Sequence, residues 1–139
     1  MTPHKQLFRH EPENGFWGDC YRTCIACLLD LEPTEVPHFY DKGMSKAEGE
    51  KILTAFMASR GLSVFDVGFD LEIDELLTMM GEKYPHGHYM ISGLSRSGCN
   101  HIVIAKGDKI VHDTSLTDAG LIGRCDDGYS WVTLIAPVL

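Results

Sequence analysis

The chain has 139 residues, 44% of them hydrophobic and 23% charged, a balance typical of an ordinary soluble globular protein. This length predicts one folded domain over residues 1–139. Its net charge of −8 argues against binding nucleic acid or an anionic membrane surface. The first residues lack the apolar stretch of a secretion signal, and no apolar run is long enough to span a membrane. Five cysteines without such a signal predict reduced thiols and a cytoplasmic location.

The first predicted helix follows an irregular N-terminal arm, residues 1–17, and runs from about Asp19 to Asp30. We expect Asp19 to be the N-cap, with its carboxylate accepting hydrogen bonds from amides of the first turn. Cys20 then occupies the first helical position, beside the positive end of the helix dipole. A thiol in this position loses its proton more easily, and the thiolate is the nucleophile. Cys20 is therefore a candidate catalytic residue.

The other apolar residues of this helix follow the three-and-four spacing of a buried face: Cys24, Ile25, Cys27, Leu28 and Leu31. A short helical turn is predicted at Pro33. Ser45 and Glu48 form the pattern of a helix N-terminus, and Gly61 is expected to end that helix. A strand over 62–67 and a third helix over 72–80, stopping at Gly81, complete the first half.

Strands dominate after Pro85. Four are predicted: His88–Gly93, His101–Lys106, Lys109–Asp113 and Trp131–Ala136. Gly107 and Asp108 are typical of a hairpin turn between the second and third of them. Helices followed by strands indicate an α+β fold, with the first helix packed on a mostly antiparallel sheet.

Cysteine catalysis needs a base beside the thiol and a third group that orients the base. Among the seven histidines, His101 is distinguished because it opens an apolar strand. A two-residue turn would set His101 opposite Thr114, whereas a three-residue turn or a single bulge would set it opposite Asp113. Cross-strand neighbours have Cβ atoms about 5 Å apart, close enough for a carboxylate to hold an imidazole. We predict the three-residue register, in which Asp113 orients His101 so that its other ring nitrogen faces Cys20.

These residues resemble the papain-like cysteine peptidases, in which a cysteine at the start of a buried helix is followed by a histidine and then Asp or Asn on adjacent strands. The segments 18–20, 101–105 and 111–113 look most like the compact bacterial and phage branch, which includes the bacteriocin-processing double-glycine peptidases. The segment 19–39 also resembles small proteins of bacteria and their phages. The resemblance covers the helix and the His/Asp hairpin.

By this resemblance the fold is papain-like, Cys20 is the nucleophile, His101 the base and later acid, and Asp113 the orienting group. Asn14, six residues before Cys20, takes the place of the oxyanion donor, together with the Cys20 amide. The resemblance implies a hydrolase that cleaves a peptide, isopeptide or other amide bond of a peptide or protein substrate through an acyl-enzyme. We expect no cofactor and no metal, because the chain contains no nucleotide, haem or flavin motif. The same triad also serves acyl transfer.

Two other classes of function remain open. A catalytically inactive papain-like protein used for binding, for example a phage protein that sequesters a host factor, is favoured if Cys20 is buried or Asp113 faces away from His101. A zinc-binding module, using two helix cysteines with Cys99 and His101, predicts bound zinc in the purified protein.

Overall fold

The computed structural model describes residues 1–11, 13, 18–39, 41 and 44–138. These residues form helices α1 (Cys20–Leu28), α2 (Lys46–Ala58) and α3 (Ile73–Lys83), a 3₁₀-helix (Pro33–Glu35), and strands β1 (Leu62–Phe69), β2 (His88–Leu94), β3 (Asn100–Lys106), β4 (Lys109–His112) and β5 (Ser130–Pro137). The strands form one antiparallel sheet in the order β1-β5-β2-β3-β4. The predicted α+β class is confirmed. No helix within the described residues is long and apolar enough to cross a membrane.

The chain divides into two compact units. The first contains residues 1–64, 114–116 and 135–139. The second contains residues 65–113 and 117–134.

In the first unit, α1 buries the side chains from Thr23 to Cys27, so the predicted core positions Cys24 and Cys27 are confirmed. The helix ends at Leu28, two residues before the predicted end. Asp30 has a positive φ of 57°, a left-handed backbone conformation that an α-helix does not contain.

Helix α2 begins as the sequence predicts, because the Ser45 hydroxyl accepts a hydrogen bond from the Glu48 amide at 3.1 Å. Gly49 lies one turn into the helix and packs against the carbonyl oxygen of Phe39. A Cβ at Gly49 would lie 2.1 Å from that oxygen, which is far inside van der Waals contact. A glycine is therefore required for α2 to approach this carbonyl.

In the second unit, α3 packs on one face of the sheet. The apolar cluster comprises Ile73, Leu76 and Met80 of α3 with Tyr89, Ile91, Val103, Ala105 and Val132 of the strands. The prediction that α3 stops at Gly81 is wrong, because the helix continues to Lys83. A Cβ at Gly81 would lie 2.7 Å from the Cβ of Asp108, so this glycine permits close packing of the β3–β4 turn rather than ending the helix.

The β3–β4 hairpin has the two-residue turn at Gly107 and Asp108, with Lys106 paired to Lys109. The predicted three-residue register is therefore wrong. A bulge then shifts the register: Ala105 pairs with Ile110, but Ile104 pairs with His112. The extra residue, Val111, lies on β4. Each β3 residue beyond the bulge therefore faces a β4 residue numbered one higher than the two-residue turn alone gives, whereas the predicted register required a residue numbered one lower.

Candidate functional site

Cys20 is the first residue of α1, as the sequence predicts, and its side chain is half-buried. Asp19 occupies the N-cap position but makes no side-chain capping hydrogen bond. Its backbone carbonyl accepts from the Thr23 amide at 3.1 Å and from the Thr23 hydroxyl at 2.8 Å. The predicted side-chain cap is therefore wrong, although the predicted start of the helix is right.

The Asp19 carboxylate has different partners because it points to the N-terminal arm. It accepts from the amides of Leu7 at 3.2 Å and Phe8 at 2.9 Å, and from Arg22 Nε at 3.0 Å. Asp19 is only 1% exposed, so the negative charge is buried and is paired with Arg22. The residue before Cys20 thus joins the arm to the first turn of α1.

Further hydrogen bonds hold the arm along α1. The Thr2 amide donates to the Cys27 carbonyl at 2.9 Å, and the His4 amide donates to Cys27 Sγ at 3.2 Å. Asp30 pairs with the terminal amine of Met1 at 3.2 Å and accepts from the Thr2 hydroxyl at 2.8 Å. The arm is therefore attached at both ends of the helix.

His101 and Asp113 form a pair in the second unit. His101 Nε2 lies 2.7 Å from Asp113 Oδ1, and the two side chains are 8% and 13% exposed. The other carboxylate oxygen of Asp113 accepts from the Gly120 amide at 2.8 Å. A largely buried carboxylate that also accepts from a backbone amide orients the imidazole firmly.

Gly93 is the cross-strand partner of His101. A Cβ at Gly93 would lie 2.5 Å from the carbonyl oxygen of Gly123 and 2.8 Å from Cδ1 of Ile73. A larger residue at this position would displace backbone beside the histidine. The close packing here fixes the strand from which His101 projects.

The remaining cysteines have different surroundings from Cys20. Cys24 and Cys27 are buried, Cys99 is exposed, and burial raises the pKa of the Cys27 thiol. Burial, with the charges of Asp127 and Asp126, raises the pKa of Cys125 to about 11. In the described part of the chain, no group of three or more His, Cys, Asp or Glu side chains is arranged to hold a metal ion.

The structure thus brings His101 and Asp113 together, as the sequence predicts. Cys20 belongs to the first unit and the His101–Asp113 pair to the second. The predicted oxyanion donor Asn14 lies outside the described residues.

Two features of these sites were not found from the sequence. The three-residue spacing of Asp19 and Arg22 was a signal for an ion pair on one helix turn. The Gly120 amide, seven residues after Asp113, had no comparable signal because it depends on the path of the intervening loop.

Comparison of the chain with protein-family models, curated proteins and solved structures found no match. The function is therefore inferred from the residues and their geometry.

Proposed function

We propose that the protein is a cysteine hydrolase that cleaves a peptide, isopeptide or other amide bond by means of Cys20, His101 and Asp113. The observation that carries this proposal is the distance of 2.7 Å between His101 Nε2 and Asp113 Oδ1. A histidine oriented by a carboxylate is the base that nucleophilic catalysis requires. The start of α1 at Cys20 supports the role of this residue as the nucleophile.

The pairing also assigns a role to each ring nitrogen. An ionised carboxylate only accepts hydrogen bonds, so Asp113 favours the tautomer of His101 with the proton on Nε2. In a neutral imidazole the other nitrogen is then the proton acceptor. In the proposed mechanism, His101 Nδ1 takes the proton from Cys20.

The proposed reaction has two halves. The Cys20 thiol gives its proton to His101, and the thiolate attacks the carbonyl carbon of the amide to form a tetrahedral oxyanion. His101 returns the proton to the leaving amine as the C–N bond breaks, which leaves a thioester on Cys20. His101 then removes a proton from water, the hydroxide displaces the thiolate, and the carboxylic acid is released.

The proposal includes the papain-like fold that the sequence predicts. It also includes a peptide or protein substrate, no cofactor, and the cytoplasm, a compartment in which thiols stay reduced. Asn14 and the Cys20 amide are the proposed oxyanion donors.

The test is the pH dependence of alkylation by iodoacetamide, mapped by peptide to each of the five cysteines. Wild type is compared with His101→Ala and with the matched control His112→Ala, which changes a half-buried histidine of β4. We expect Cys20 to react at pH 6 at least about tenfold faster than exposed Cys99, since an ordinary thiol has a pKa of about 8.5. His101→Ala removes this advantage and His112→Ala retains it.

A Cys20 that reacts no faster than Cys99, or that is indifferent to His101→Ala, would overturn the proposal and favour the binding protein. If the thiolate is found, a library of fluorogenic amides is screened with Cys20→Ser as the inactive control. Release of the fluorophore by wild type alone identifies the bond.

A further inference from the structure

A largely buried ion pair lies in the first turn of α1, next to the proposed nucleophile. Asp19 precedes Cys20 directly, and its carboxylate is 3.0 Å from Arg22 Nε. The side chain of Arg22 is only 11% exposed. Both charges are therefore largely removed from water. An uncompensated charge in such surroundings acts strongly on its neighbours.

The same pair connects three segments of the first unit. Asp19 accepts from the amides of Leu7 and Phe8 in the arm, and Arg22 Nη1 donates to the Val36 carbonyl at 3.3 Å. A carboxylate is suited to this position because it accepts several hydrogen bonds at once. The cost is a negative charge on the residue that directly precedes Cys20 in the chain.

We propose that Arg22 is a positioning residue for Cys20: its charge compensates Asp19, so that the arm is held at α1 without the carboxylate opposing the Cys20 thiolate. The inference rests on the proposed function, in which that thiolate is the nucleophile. A negative charge disfavours a second one nearby, and a positive charge favours it. In this proposal Asp19 holds the arm, and Arg22 keeps the negative charge of Asp19 from disfavouring the Cys20 thiolate.

Charge compensation and simple structural support predict different directions of change in the rate of Cys20 alkylation. If Asp19 and Arg22 only hold the arm, removing either one loosens the first turn, and both changes shift the reactivity of Cys20 in the same direction. If they act by charge, removing Arg22 slows alkylation, whereas removing the charge of Asp19 accelerates it.

The experiment measures the rate of Cys20 alkylation by iodoacetamide at pH 7.0 in the full chain, with Cys99 in the same molecule as the internal reference. We expect Arg22→Met to be about tenfold slower than wild type and Asp19→Asn to be about threefold faster. The double variant returns to within about twofold of wild type because both charges are absent. Asp30→Asn, which loosens the arm at the far end of α1, leaves the rate unchanged.

Arg22→Lys keeps the charge but lacks the guanidinium geometry that reaches Val36. It stays within about twofold of wild type, and it supplies the test if Arg22→Met does not fold. A tenfold loss in Arg22→Lys, or a change of the same sign in Arg22→Met and Asp19→Asn, would overturn the inference.

Failure of this inference is distinguishable from failure of the proposed function. The effects of Arg22→Met and of Asp19→Asn on the rate of Cys20 alkylation are measured again in the His101→Ala background. The charges of Asp19 and Arg22 are still present in that background before either is substituted. If the alkylation rate of wild-type Cys20 depends on His101 but Arg22→Met and Asp19→Asn change that rate in the same direction, Arg22 has no compensating role. If the signs differ but His101→Ala has no effect, the inference stands and the triad does not.

Discussion

His101 Nε2 and Asp113 Oδ1 lie 2.7 Å apart although the β3–β4 ladder does not pair these residues. The last ladder pair is Ile104 with His112. Extending that register by one residue would place Asp113 opposite Val103, two positions from His101 and on the same face of the sheet. Diagonal neighbours of this kind are about 7–8 Å apart at Cα, within reach of a carboxylate and an imidazole.

The bulge at Val111 determines which face Asp113 occupies. Without the extra residue, the two-residue turn would set Asp113 opposite Ile102, on the other face, because side chains alternate along a strand. With it, Asp113 returns to the face of His101. One inserted residue therefore creates the His101–Asp113 pair.

Deletion of Val111 is expected to abolish the pair, because it moves Asp113 to the opposite face. The measurement is the side-chain ¹⁵N–¹H correlation spectrum of His101, in which the wild type shows a protected Nε2–H proton and the deletion variant does not. Val111→Thr keeps the number of residues and serves as the matched control with the signal intact. A protected Nε2–H in the deletion variant would show that the bulge is dispensable.

Asp113→Asn is expected to slow Cys20 alkylation at pH 7 by about tenfold, because a neutral amide does not stabilise the imidazolium that pairs with the thiolate. Asp126→Asn is the control. Asp126 accepts a hydrogen bond at 2.8 Å from Asn100, the residue before His101 on β3, and does not contact His101 in the described hydrogen bonds. Its rate should stay within about twofold of wild type. Equal rates in Asp113→Asn and wild type would remove Asp113 from the mechanism.

Gly49→Ala is expected to lower the free energy of unfolding by about 1–3 kcal/mol, the usual cost of overpacking a filled site. A Cβ at Gly49 would lie 2.1 Å from the Phe39 carbonyl oxygen. In an open helix the same change stabilises by up to about 1 kcal/mol, so the sign is diagnostic. Urea denaturation provides the measurement, with Gly123→Ala as the control, since no atom lies within 4 Å of a Cβ there. A stabilised Gly49→Ala variant would contradict the close approach.

Cys125 is expected to make the fold less stable at high pH. Burial, with Asp127 and Asp126, raises its pKa to about 11, whereas a thiol in the unfolded chain has a pKa of about 8.5. Between these values the unfolded chain releases the proton first, so it binds fewer protons and stability falls as pH rises. Urea denaturation from pH 8 to 11 should show a steeper loss in wild type than in Cys125→Ala.

The control for this prediction is Cys99→Ala, which removes an exposed thiol and should leave the pH dependence of wild type unchanged. A Cys125→Ala variant with the same slope as wild type would assign the loss to other groups. The raised pKa also predicts that Cys125 is alkylated more slowly than Cys99 at pH 8, because less of it is thiolate.

Much of the fold was predictable because the signals are local. The Ser45 cap, the start of α1 at Cys20 and the turn at Gly107 and Asp108 each depend on residues within a few positions of one another. Periodicity likewise identified Cys24 and Cys27 as core, since a helix repeats its buried face every three to four residues. Hydrogen bonds and spacing within one element leave their pattern in the sequence itself.

Two of the errors involve partners that are distant in the sequence. The Asp19 carboxylate accepts from the amides of Leu7 and Phe8 instead of capping a first-turn amide. Gly81 lies inside a helix, where the absence of a Cβ leaves room for Asp108. A local pattern contains no information about such partners.

For the candidate site, the sequence by itself determined the residue types, the order Cys20, His101, Asp113, and the helix start that presents the thiol. Only the tertiary structure decided that His101 and Asp113 are paired, and by which register. The physical reason is that a strand alternates its side chains with a period of two, so one bulged residue reverses the face of all that follows. Residue spacing alone did not determine on which strand that extra residue would lie.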